Sequence, residues 1–129
     1  MVLVDTSVWV ATFRKRDPLD LEALVSFGEI VTCLPVVQEV LQGFRDESAY
    51  RTARSAMLNL PMVDSPLDRE LFESAIDLYR AGRRIGLTIR SSIDCLIASS
   101  ALRHGLTILH RDRDYSQLAK VVALRERSV

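Results

Sequence analysis

Cysteine is scarce. The 129 residues hold two, Cys33 and Cys95, and no Cys-x-x-Cys pair, which excludes a zinc ribbon and a thioredoxin-type redox motif. Both lie in apolar stretches, as buried thiols do. A zinc site drawn from Cys33, Cys95, His104 and His110 would need ligands at unusual spacing. Five Gly and four Pro are too few for a collagen-like or linker-rich chain. No apolar run approaches the ~20 residues of a membrane span, so no membrane partner is expected. The first ten residues lack a basic stretch and carry Asp5 in their middle, unlike a signal peptide, so a cytoplasmic protein is the expectation.

Net charge is also missing. The 17 Lys+Arg balance the 17 Asp+Glu, whereas nucleic-acid-binding domains are usually basic. The balance conceals an asymmetry. Residues 1–79 carry seven basic and thirteen acidic side chains, and residues 80–129 carry ten basic and four acidic. Arg80, Arg83, Arg84 and Arg90 fall in a run with no acid at all, and Arg14, Lys15 and Arg16 form a second basic patch. Lysine is nearly absent, with two residues against fifteen Arg. The planar fork of Arg suits phosphate, although an Arg-rich codon preference gives the same count.

What is present is an ordinary globular composition, 48% hydrophobic and 26% charged, which fits one domain over residues 1–129. Val2-Leu3-Val4 is β-branched without alternation and reads as a strand buried on both faces, ending at Asp5. Asp5-Thr6-Ser7 then offers helix caps ahead of Val8, Trp9 and Phe13. The spacing predicts helices over 19–27 (closed by Gly28), from Pro35 to Phe44, and over 47–58, 68–84 and 91–104, with a short one near 116–119. Strands are predicted over 29–34, 60–63, 106–109 and 121–124. Strands alternating with helices imply an α/β chain, a three-layer α/β/α sandwich with a central, mainly parallel sheet.

Carboxylates recur where such a sheet would gather them. Asp5 follows the first strand, and Asp112 and Asp114 follow the fourth; in open α/β sheets sites form at these carboxyl ends. Glu39 and Asp94 sit within apolar helix surroundings, where charge is costly unless paired or bound to metal. Each acid alone has a plain reading as a helix cap, a rim charge or a turn residue. Together they form an oxygen-only donor set without His or Cys, which suits hard cations such as Mg²⁺ or Mn²⁺ and phosphodiester chemistry.

The segments Val2-Leu3-Val4-Asp5-Thr6-Ser7-Val8-Trp9, Val37-Gln38-Glu39-Val40, Ser92-Ile93-Asp94-Cys95-Leu96-Ile97-Ala98 and His110-Arg111-Asp112-Arg113-Asp114-Tyr115 resemble the four acidic motifs of the PIN-domain ribonucleases. Length and order resemble the VapC-type toxins of bacterial toxin–antitoxin pairs. The resemblance runs from Val2 to about Leu124 and implies a metal-dependent endoribonuclease restrained by an antitoxin. It implies that Asp5, Glu39, Asp94 and Asp112 are the catalytic quartet holding Mg²⁺ or Mn²⁺. Asp114 would be a further ligand or the replacement for Asp112. Thr6 or Ser7 would hold water or orient Asp5. Tyr115 stands where the family often has Phe and is expected to pack. Arg80, Arg84 and Arg90 are candidates for the RNA backbone, and Arg111 and His110 are expected to be exposed loop residues. The resemblance also implies a homodimer and a VapB-type antitoxin whose peptide lies across a cleft; Trp9, Phe13 and Phe44 are candidates for an apolar groove to receive it, with a buried core role the default for each. The rival readings are a PIN-like module that only binds RNA or a partner, and a receiver-like or haloacid-dehalogenase-like phosphoryl-transfer domain. The second asks for an additional carboxylate two residues beyond Asp5, where Ser7 stands.

Overall fold

The computed structural model describes residues 1–129. Five strands, β1 (Val2–Val4), β2 (Ile30–Cys33), β3 (Met62–Val63), β4 (Thr107–His110) and β5 (Arg125–Ser128), form one sheet in the order β3-β2-β1-β4-β5. Every pairing is parallel, with Leu3 opposite Val31 on one side and Ile108 on the other. Six helices flank it: α1 (Thr6–Phe13), α2 (Leu34–Gln42), α3 (Glu47–Leu58), α4 (Arg69–Arg84), α5 (Ser92–His104) and α6 (Arg113–Leu118). The expected α/β architecture is what the chain adopts. The three central strands are apolar because both of their faces are covered: Leu3, Val4, Cys33, Ile108 and Leu109 have no exposed surface.

Local signals set the element ends. Asp5, Asp46, Asp68 and Asp112 each cap a helix by accepting a backbone N–H, and Pro35 occupies the first turn of α2. Gly105 closes α5 in the left-handed conformation, φ 63°, which other residues adopt only under strain. α5 is buried continuously from Asp94 to Ala101, which brings its first turn inside the molecule. On α4 the stripe divides: Leu71, Ala75 and Leu78 enter the core, while Phe72 and Ile76 remain 48% and 58% exposed.

Three expected elements differ. No helix covers residues 19–27; Leu21 and Val25 are buried one turn apart, but the turn does not propagate, and Phe27–Glu29 form a 3-10 turn. Nucleation without extension leaves a single turn, and Gly28 does not adopt the left-handed cap conformation. The last strand is Arg125–Ser128, not 121–124, where Val121 and Val122 instead donate to Leu118 O and end the turn after α6. A charged sequence is what a sheet edge tolerates, because it discourages further strand pairing. The short helix begins at Arg113, three residues before its expected start, because Asp112 caps it.

Candidate metal centre

All strands being parallel, their carboxyl ends share one edge, and the acids collect there. Asp5 follows β1 directly and is 3% exposed. Its Oδ2 accepts from the Ser7 N–H at 2.9 Å and from the Ser7 hydroxyl, and its Oδ1 accepts from the Tyr115 hydroxyl at 2.6 Å. Ser7 Oγ in turn accepts from the Arg111 N–H at 2.9 Å, which ties the β4–α6 loop to the start of α1. Thr6 donates to Glu39 Oε1 at 2.8 Å, which joins the β1 and β2 crossovers. Both hydroxyls after Asp5 therefore contact expected site acids.

Asp94, Asp112 and Asp114 each offer an oxygen within 4.8 Å of the others. Asp112 caps α6 through the Asp114 N–H at 2.9 Å and is paired with Arg90 Nη2 at 3.0 Å. Asp114 is fully buried; its Oδ2 accepts from the Arg90 and Ser91 N–H groups at 3.0 and 3.2 Å, just ahead of α5. Asp94 Oδ2 and Asp114 Oδ1 are buried without a hydrogen-bond partner. Such orphaned oxygens are costly. Burial, then the neighbouring carboxyl of Asp114 and the charges of Asp5 and Asp112, push the Asp94 carboxyl up to about 9. The donor set is all oxygen and crowded with negative charge, so it fits a hard divalent cation.

Glu39 is partly buried and lies outside the three-acid cluster, linked to it through Thr6 and the turn at Asp5. Its proximity to that edge is felt at Cys33, whose thiol burial pushes up to about 12, with the charges of Asp5, Asp64 and Glu39 adding to the shift. Burial likewise pushes the Cys95 thiol up to about 11, with Asp94 contributing, so neither cysteine is a thiolate.

The arginines separate. Arg90 belongs to the centre itself, through Asp112 and at 3.5 Å from Asp114 Oδ1. Arg80 shares with Arg90 an α4–α5 groove floored by Phe72, Ile76 and Ile93. Arg84 lines a different groove with Glu70, Asp77 and Arg103 and is not brought to the acids.

Residue composition did not reveal two partners of the centre. Tyr115 has no exposed surface, and its hydroxyl lies between Asp5 Oδ1 and Asp94 Oδ1 at 2.6 and 3.3 Å, so it does more than pack. His110 is not an exposed loop residue: it ends β4, is 1% exposed, accepts the Asp112 N–H at Nδ1 and meets Glu126 at Nε2, 2.5 Å away. The available signal for both was position, directly on and after a strand whose end carries the acids. Trp9 is core, 5% exposed and stacked on Phe13 at 5.6 Å; Phe13 and Phe44 line a cleft of about 280 Å³ with Val10, Arg14, Val40 and Gly43.

A parallel α/β sheet with acids from several segments near its carboxyl edge defines an α/β protein whose polar site lies at that edge. The PIN domain family model matches residues 2–121. The chain is 38% identical over 135 aligned positions to Ribonuclease VapC11 of Mycobacterium tuberculosis, covering 99% of this chain and 98% of that protein. A VapC ribonuclease of Mycobacterium bovis matches to the same extent. The chain belongs to the PIN-domain family, among its VapC members. Solved structures share the fold at lower identity. VapBC2 from Rickettsia felis bound to a promoter DNA fragment has a TM-score of 0.78 at 18% identity, covering 100% of this chain and 99% of that one. VapC20 of Mycobacterium tuberculosis, a sarcin-ricin-loop-cleaving toxin, has a TM-score of 0.71 at 20% identity, covering 97% and 99%.

Proposed function

We propose that the chain, acting as one unit over residues 1–129, is the toxin of a toxin–antitoxin pair: a ribonuclease that hydrolyses RNA phosphodiester bonds with Mg²⁺ or Mn²⁺. The observation that carries this reading is the cluster of Asp94, Asp112 and Asp114, whose oxygens lie within 4.8 Å of one another, with Asp94 Oδ2 buried and without a hydrogen-bond partner. The relatives named ribonucleases, at 38% identity over almost the full chain, support it.

Asp94, Asp114 and Asp112 would hold the cation, with Asp5 and Glu39 completing the acidic wall. A bound divalent ion supplies an activated water and a polarised scissile phosphate. The chain's residues do the rest. Ser7 and Tyr115 fix Asp5, Thr6 fixes Glu39, and the N–H groups ahead of α5 fix Asp114. Arg90, 54% exposed at its side chain, neutralises Asp112 and can turn to a substrate phosphate. Arg80 extends that cationic edge along the groove.

Two surfaces fit the partners. An antitoxin peptide would lie in the Phe13–Phe44 cleft beside Val10, which is 56% exposed. A second copy of the chain would cover Phe72 and Ile76, because α4 runs from Glu70 and Glu73 to Arg80 and Arg83 and is self-complementary when antiparallel. No helix is long and apolar enough to cross a membrane, and the cytoplasm is where RNA would be met.

The test is cleavage of total RNA by purified protein with Mn²⁺, with EDTA, and with Asp94→Asn. The reading requires fragments only from wild type with the ion, and sequencing their ends identifies the target. Cleavage that survives both EDTA and the substitution refutes it.

A further inference from the structure

The buried hydroxyl of Tyr115 is the one polar group in contact with two acids of the centre from different segments. Asp5 comes from the end of β1 and Asp94 from the first turn of α5, and Tyr115 reaches both from α6, the helix that Asp112 caps and that carries Asp114. A phenyl ring would fill the same space, in contact with the His110 ring at 5.1 Å between centroids. The hydroxyl adds a buried donor between two of the acids. It saturates the last side of Asp5, whose Oδ2 is already held by Ser7. With its proton given to Asp5, the hydroxyl oxygen lies 3.3 Å from Asp94 Oδ1, and the other Asp94 oxygen, Oδ2, is buried and without a partner.

We propose that Tyr115 is a positioning residue of the metal centre: its hydroxyl donates to Asp5 and lies against Asp94 Oδ1, keeping the two acids in one arrangement in which Asp94 would be available to a cation. The inference rests on the metal-centre reading above. Hydrogen bonds to ligating carboxylates orient them, and losing such a partner lowers metal affinity by about 10–100-fold. Tyr115 acts through Asp5 and Asp94 rather than on the substrate.

The test uses the full chain and Mn²⁺ alone, without RNA. Calorimetric titration of wild type, Tyr115→Phe and Asp94→Asn gives three dissociation constants, and circular dichroism with a melting curve checks each fold. Tyr115→Phe is expected to keep the fold and weaken Mn²⁺ binding by about tenfold or more. In wild type, Mn²⁺ is expected to perturb the near-ultraviolet tyrosine spectrum, a change that Tyr115→Phe abolishes. That spectrum tests the proposal even if the variant fails to fold: an unperturbed wild-type spectrum at saturating Mn²⁺ overturns it. A Tyr115→Phe constant within about twofold of wild type, with binding lost in Asp94→Asn, overturns the tyrosine's role alone. Binding left intact in Asp94→Asn removes the metal-centre reading and this inference with it.

Discussion

Replacing Asp94 by Asn should flatten the pH dependence of stability of the metal-free protein. Asp94 is 5% exposed and faces Asp114, with Asp5 and Asp112 nearby, and its carboxyl is raised from 3.8 to about 9. The unfolded chain releases that proton near the ordinary value, while the folded chain retains it. The stability contributed by the protonated group is therefore fully present below pH ~4 and is lost as pH rises toward about 9. One proton held by the folded state and not by the unfolded state is worth about 1.4 kcal/mol per pH unit. In a domain of this size that is a fall of about 4–6 °C in melting temperature for each unit. Asp64 and Asp68 are both held below the carboxylate norm and act at acid pH, outside this window. Melting in EDTA between about pH 5 and about pH 8 should show the wild-type slope and its absence in Asp94→Asn. The amide keeps the size of the group and has no proton to lose. Parallel curves for the two proteins would refute the assignment of the buried proton to Asp94.

Other outcomes follow from the same structure. Arg103 binds Asp64 at 2.8 Å and Asp68 at 3.0 Å; burial raises the Asp64 carboxyl, but hydrogen bonds from His104 and Arg103 outweigh it. Arg103→Ala should therefore lower the urea midpoint, because the Asp64 side chain, 5% exposed, keeps only His104 of its two cationic partners. Leu71 is fully buried, so Leu71→Ala should cost about 2–5 kcal/mol through the cavity it leaves, read by the same assay. Arg90→Ala should weaken binding of an uncleavable RNA and reduce the slope of log affinity against log salt by about one, whereas Arg84→Ala should leave the slope near wild type.

Much of this was legible in the sequence because the signals were local and agreed. The β-branched run Val2–Val4, the cap-then-stripe pattern of α4 and the terminator Gly105 each specified an element independently of the rest. Asp5, Asp94, Asp112 and Asp114 stood out because they follow a strand or open a helix, and Glu39 because it interrupts an apolar helix stretch. The segment at 19–27 misled because Leu21 and Val25 give the same spacing whether a helix has one turn or three. β5 was missed because pairing with β4, not its own composition, makes Arg125–Ser128 a strand. The Tyr115 hydroxyl was unreadable for a different reason. Its partners Asp5 and Asp94 lie 110 and 21 residues away, and only the fold brings them to it.

The zero formal net charge fits this account: counted as ionised, Asp5, Glu39, Asp94 and Asp112 contribute −4, leaving +4 on the remaining charged residues. The central claim is that Asp94, Asp112 and Asp114 hold a divalent ion. Crystals grown with Mn²⁺ test it most directly through anomalous scattering. The account predicts a peak ligated by Asp94 Oδ2 and Asp114 Oδ1, absent in Asp94→Asn. A catalytically active crystal form without a peak at those oxygens would contradict it.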